Sequence, residues 1–199
     1  MFNLEKVGEK IAVINNSVRY KRKNKIYLNK DKLDGEDKIK ESDDIRIENG
    51  EIMLSPDKDT ERITMYCCGS AGSGKSYFVA QYCEQYHKTF KNNPIFLISE
   101  NDSDPAFDSK EYIKRIIIED LYENPLDWRE FENCMVIFDD IDSIKGKLGK
   151  TVDALRDKLL KNSRKFKVSV VSTSHDACGQ SLKSVLNESK IIVFFYVKL

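Results

Sequence analysis

Three short stretches of the chain carry residue types that can handle a phosphate ester. Gly69-Ser70-Ala71-Gly72-Ser73-Gly74-Lys75-Ser76 fits G-x-x-x-x-G-K-[ST] at every fixed position. Glycines let the backbone wrap a phosphate with its N–H groups, and a helix opening directly after the loop, here at Tyr77, adds a favourable dipole. Residues 69–77 are therefore the expected nucleotide cradle, with Lys75 reaching the β- and γ-phosphates of ATP and the Ser76 hydroxyl on Mg²⁺. Met135-Val136-Ile137-Phe138 is an apolar run that ends in Asp139-Asp140. Asp139 is expected to hold Mg²⁺ through its water shell, and Asp140 to orient or deprotonate the attacking water. A turn acid or helix N-cap is the alternative use of Asp140, because Asp142 and Ser143 follow. Thr173-Ser174-His175 closes a third apolar run, and a polar side chain there can contact the γ-phosphate or the water. Spacing does not choose between Ser174 and His175.

These stretches need a scaffold that brings three strand ends to one edge. From residue 61 the pattern alternates strand and helix: Ile63–Cys68, a helix over 77–90, Ile95–Ser99, Ile113–Ile118, Met135–Phe138, a helix carrying Val152, Leu155, Leu159 and Leu160, Val168–Ser172, a short helix with Leu182, Val185 and Leu186, and Ile191–Val197. Continuous apolar strands separated by helices predict an α/β fold, a mostly parallel sheet with helices on both faces. Such sheets bind ligands at the carboxyl ends of their strands. Residues 1–60 read instead as short strands. Ile11–Ile14 and Val18–Leu28 alternate, and Ile45–Glu48 faces Glu51–Leu54 across Asn49-Gly50, a β-hairpin signal. This segment is too small and polar for its own core, so the division is a β-rich extension over 1–60 packing on a nucleotide-binding core over 61–199.

Composition narrows the class. With 199 residues, 33 basic and 33 acidic, the chain suits one domain and has zero formal charge. No apolar run approaches the roughly 20 residues of a membrane helix, and the first ten residues lack the apolar stretch expected of a signal peptide. Five cysteines without a paired spacing read as buried, reduced thiols in a cytosol-like compartment. The two histidines, His87 and His175, leave little for a structural zinc site. Trp128, the sole tryptophan, reads as a core anchor. Charge is segregated, however. Residues 100–142 hold 14 acids against 4 bases, residues 145–167 hold 9 bases against 2 acids, and Arg19–Lys25 holds 5 bases. Each cluster reads either as a solvated face or as the footprint of a polyanion.

Two strand candidates lie between the loop helix and the acid strand. That order is typical of P-loop ATPases that use an added catalytic carboxylate, and it disfavours GTPases, as does the lack of a downstream N-K-x-D. Together with Ile98-Ser99-Glu100-Asn101-Asp102-Ser103-Asp104-Pro105-Ala106-Phe107, Val170–His175 and Leu186-Asn187-Glu188-Ser189, the ordered set resembles the genome-packaging ATPases of large eukaryotic DNA viruses, a poxvirus-type branch of the FtsK–HerA translocases. The resemblance covers about residues 61–199. It implies a P-loop NTPase of ASCE/RecA-like type in a hexameric or pentameric ring that hydrolyses ATP to drive double-stranded DNA into a capsid. Capsid or portal protein would be further partners, and the site of action the host cytoplasm or the virion. Relatives usually continue past the last strand. The loop lacks an arginine, so an arginine finger would come from elsewhere, with Arg156 and Arg164 as candidates or as ordinary surface arginines. Two other functions stay open: a nucleotide or small-molecule kinase, and a non-motor module whose assembly ATP gates.

Overall fold

The computed structural model describes residues 2–4, 8–15, 25–28, 51–59, 62–177, 179 and 182–195. The N-terminal strands β1 (Phe2–Asn3), β2 (Glu9–Asn15), β3 (Lys25–Leu28) and β4 (Glu51–Leu54) form an antiparallel sheet in the order β1-β3-β2-β4. Contrary to the expectation from its polarity, this sheet has a small buried centre of its own, Ala12, Ile14 and Ile26, and Leu54 packs both there and against the larger core. The Lys10 amide donates to Asp57, which fixes the exit of β4. The expected hairpin half at 45–50, the strand start at 18–24 and most of the Arg19–Lys25 cluster lie outside the described residues.

The larger sheet contains β5 (Thr64–Gly69), β6 (Ile95–Ser99), β7 (Ile113–Arg115), β8 (Met135–Asp139), β9 (Ser169–Ser174) and β10 (Ile191–Phe195), all parallel, in the order β10-β5-β9-β8-β6-β7. Its side chains alternate between two cores. Met65, Cys67, Leu97, Ile137 and Val171 face helix α1 (Lys75–Thr89), which contributes Val79, Ala80, Tyr82, Cys83 and Tyr86. Tyr66, Cys68, Val136, Phe138 and Val170 face the other way, against α3 (Ile118–Glu123), α4 (Gly146–Phe166) and α5 (Lys183–Glu188). Both faces are thus covered, which is why the strands read as unbroken apolar runs rather than as alternation.

Most boundaries shift by a residue or two, and one differs in kind. The expected strand over 113–118 stops at Arg115, and Ile118 instead opens α3. Glu119 and Asp120 occupy the first turn of that helix, where carboxylates meet the positive end of the dipole. Ile116 still donates to Leu97 O, so the chain leaves the edge strand only there. Helix α2 (Pro105–Asp108) begins inside the Ile98–Phe107 stretch. Asp104 caps it by accepting from the Ala106 amide, and Asp108 pairs with Arg115 at 2.8 Å. Phe107 is buried, so much of that stretch is architectural.

Trp128 packs edge-on against Phe166, with ring centroids 5.0 Å apart, beside the α4 core. Cys67, Cys68, Cys83 and Cys134 are free and buried, and burial pushes the Cys67 and Cys134 thiols up to about 12. Cys178 lies outside the described residues. No helix among the described residues is long and apolar enough to cross a membrane.

Candidate active site

The loop over 69–74 joins β5 to α1 and bends where glycine is required. Gly74 sits at φ 95° immediately before the helix, a conformation that side chains with a Cβ resist. At Gly69 the constraint is contact: an added Cβ would lie 2.7 Å from both Cβ and O of Phe195, so β10 closes one wall of the loop. Ser70, Ala71, Gly72 and Gly74 are exposed, Ser73 and Ser76 half-buried, and Tyr77 is 66% exposed. The Ser73 Oγ is buried with no hydrogen-bond partner among the described residues. Orphaned buried hydroxyls are rare, and a phosphate oxygen in the loop would satisfy this one.

Lys75 is buried, and its ammonium folds back over the loop. Nζ donates to Gly69 O at 3.0 Å and Ser70 O at 3.4 Å, meets His175 Nδ1 at 3.2 Å, and lies 3.9 Å from Asp140 Oδ1. His175 Nε2 is 3.2 Å from Asp140 Oδ2. An ammonium only donates, so Nδ1 must accept and Nε2 carries the N–H toward Asp140. Lys75, His175 and Asp140 therefore close a triangle over the mouth of the loop.

The two acids end β8 in different environments. Asp139 is fully buried. Its Oδ1 accepts from Thr173 Oγ1 at 2.8 Å, and its Oδ2 faces the Ser99 hydroxyl at 3.4 Å. Burial pushes its carboxyl up to about 6; the Thr173 hydrogen bond opposes that shift and the neighbouring Asp140 charge adds to it. Asp140 turns into the left-handed region at φ 49° and opens the short 3-10 turn Ile141–Ser143 without capping it through its side chain. Aspartate tolerates that conformation better than most residues, and such geometry clusters at functional sites. The Asp140 amide donates to Thr173 Oγ1 at 2.9 Å. One threonine hydroxyl thus fixes both acids.

Of the expected site residues, the structure brings together Gly69–Ser76, Asp139, Asp140 and His175 at one sheet edge. Ser174 is placed differently. It is fully buried, and its hydroxyl is engaged with the Asp176 backbone, donating to O at 3.1 Å and accepting from N at 3.0 Å. Sequence reasoning passed over Thr173, although strand alternation puts it on the opposite face of β9 from Ser174. Arg156 is also not where an arginine finger would be. It is 1% exposed and held by Asp153 at 2.8 Å, Asp142 at 3.6 Å and Asp157 at 4.0 Å. Arg164 is exposed in the last turn of α4, whose end meets the amino end of β8 through the Asn133–Phe166 hydrogen bond, the edge away from the loop.

Strand β9 lies between the loop strand β5 and the acid strand β8. A glycine loop ending in Lys-Ser, an acid pair one strand removed and a covered parallel sheet define a P-loop NTPase fold. Two solved structures agree on that fold. The sheet and helices match EssC (ATPases 2 and 3) from Geobacillus thermodenitrificans with a TM-score of 0.52 and 12% identity over 74% of this chain and 34% of that one. The pCW3 conjugation coupling protein TcpA gives 0.51 and 12%, over 73% and 51%. The genome packaging NTPase B204 from Sulfolobus turreted icosahedral virus 2 gives 0.48 and 16%, over 70% and 77%. No family model matches the sequence. The chain belongs to the same family as the uncharacterized protein V3 of Sputnik virophage: the two are 30% identical over 197 residues, 97% of this chain and 76% of that protein.

Proposed function

We propose that the chain is an ATP-hydrolysing motor that translocates double-stranded DNA and packages a viral genome, in the manner of the poxvirus-type FtsK–HerA branch. The observation that carries the hydrolytic part is the second acid, Asp140. It stands free of any capping duty, in a strained backbone position, with its carboxylate at the mouth of the phosphate loop. A kinase needs no such water-directing carboxylate, and the strand inserted between loop and acids also argues for hydrolysis. The packaging part rests on the ordered motifs over 61–199. The working unit is a hexameric or pentameric ring in the host cytoplasm or the virion, with capsid or portal protein as its further partner.

The residues present fit ATP with Mg²⁺. The orphaned Ser73 hydroxyl and the open space at Gly72 and Gly74 suit phosphate oxygens, and the Ser76 hydroxyl with the Asp139 carboxylate supplies hard oxygen donors. Held by Ser76 and Asp139, Mg²⁺ would supply positive charge to offset that of the phosphates. Arrival of a γ-phosphate draws Lys75 off the Gly69 and Ser70 carbonyls and out of the triangle. Asp140 is then free to accept a proton from water or to orient it, while Thr173 holds its backbone in place. His175, released from Lys75, keeps its Nε2 contact to Asp140 and presents Nδ1 to the site. The phosphate loop holds no arginine and Arg156 is caged, so an arginine finger beside Lys75 has to come from elsewhere.

Displacement of a third strand from a triplex on linear duplex DNA tests translocation directly. Strand release that needs ATP and the duplex, and is lost in Asp140→Asn, is the expected result. Hydrolysis without any strand release would leave an ATPase that is not a motor.

A further inference from the structure

The longest helix carries a surface that the nucleotide site does not use. At 100° per residue, Lys147, Lys150, Lys158, Lys161 and Lys165 of α4 fall within an arc of about 80°. All five are exposed, while Val152, Leu155, Leu159 and Leu160 turn into the core. The stripe runs about 27 Å along the helix at 1.5 Å per residue. Among the described residues, no ion pair joins any of the five lysines to a carboxylate. The acids of α4 itself, Asp153 and Asp157, are engaged by Arg156, and Asp127, the acid that feels Lys158, is paired with Arg129.

Like charges three and four residues apart destabilise a helix by about 0.2–0.5 kcal/mol per pair. A helix that keeps such a row unneutralised is suited to an external polyanion. Spacing narrows the class. Lys150 and Lys158 are about 12 Å apart along the axis, with the small residues Thr151 and Ala154 between them. The major groove of duplex DNA is also about 12 Å wide. Lysine is a flexible point charge without base-reading geometry, so the grip would be independent of sequence.

We propose that this stripe is the surface on which duplex DNA rides, with Lys147 and Lys150 meeting phosphates of one strand and Lys158, Lys161 and Lys165 those of the other. The assignment rests on the DNA-motor reading above. It also links grip to chemistry. Arg156, on the same helix, is ion-paired to Asp142, two residues beyond Asp140, so movement of the acid loop would pass to α4 through the buried arginine.

Fluorescence anisotropy of a labelled random-sequence duplex, titrated with the full chain across a salt series, tests this. For Lys150→Gln/Lys158→Gln/Lys161→Gln the expected result is a loss of affinity of at least about tenfold, with the slope of log K against log salt shallower by about 0.9 per lysine. Lys91→Gln/Lys114→Gln, two exposed lysines on other elements, serves as control and matches wild type. Thermal melting confirms that each variant is folded. If wild type binds duplex and its ATP turnover rises with DNA, yet the triple variant keeps both affinity and slope, the stripe is not the DNA path and the motor reading survives. Failure of wild type itself to bind or respond to duplex overturns both. Tighter binding of single-stranded DNA than of duplex overturns the groove-spanning assignment.

Discussion

Two cations in this molecule are surrounded by carboxylates or their partners, and they are held in opposite ways. Arg156 sits under three aspartates on the α4 side of the sheet, 1% exposed. Lys75 sits at the loop mouth under one carboxylate, one imidazole and two backbone carbonyls, and the imidazole faces solvent, with the His175 side chain 52% exposed. The arginine has no polyanion to exchange its partners for, and its planar fork suits a fixed multi-carboxylate site. The lysine has weak, replaceable partners, and the loop around it is shaped for a stronger one. The first arrangement is a clamp between the acid loop and α4. The second is a set of contacts that a phosphate displaces.

The clamp and the exchangeable contacts separate most widely under mutation. Arg156→Ala removes a fully buried side chain with its packing and leaves three partly exposed aspartates without their cation, a loss of up to about 3 kcal/mol. A marked drop in melting temperature is expected. Lys75→Ala removes a buried ammonium half of whose partners are backbone carbonyls and whose ion pair to Asp140 is long, so the melt moves less while nucleotide binding is lost. Equal destabilisation by both variants would erase the distinction.

Asp139 sharpens it. Its carboxyl is raised to about 6 by burial, so the folded state binds the proton more tightly than the unfolded chain. The contribution of this group to stability is therefore greatest in acid and is lost as pH rises through about 6. Asp139→Asn keeps an acceptor for Thr173 and removes the buried charge, so nucleotide-free protein at pH 7.5 should gain about 1–3 kcal/mol. Wild type and variant should converge near pH 4 when melts are compared, and a variant less stable than wild type at pH 7.5 contradicts the account.

A smaller effect belongs to His175. His175→Ala deletes one contact that nucleotide must displace and one that positions Asp140, each worth about 0.5–1.5 kcal/mol. KM for ATP and kcat should therefore fall together, each by roughly two- to tenfold. A raised KM with unchanged kcat would make the histidine a plain binding group. Ser174→Ala should change turnover least, because the Ser174 hydroxyl serves the Asp176 backbone.

The phosphate loop and the acid pair were legible because their chemistry demands fixed residue types at fixed spacing, next to strands that read as apolar runs. What escaped was set by conformation. Nothing in Phe138-Asp139-Asp140 announces that Asp140 takes a left-handed turn, and Thr173 gains its role only once β9 is paired beside β8. Ile116–Ile118 looks like more strand until the acids after it start a helix. Arg156 could have been flagged: it shares the face of Val152, Leu155 and Leu159, with Asp153 and Asp157 within one turn. A charged residue on an apolar face flanked by opposite charges is better read as buried and paired than as a finger. The lysine stripe was visible as a count of bases, but its single face depends on where α4 begins and ends.

The most direct test of the central claim is steady-state ATP hydrolysis by wild type and Asp140→Asn, with and without random-sequence duplex DNA. The account predicts wild-type turnover that rises with DNA, loses that rise as salt increases, and falls by roughly 10²–10⁴-fold in the variant. Turnover that ignores DNA, or that survives in Asp140→Asn, would contradict it.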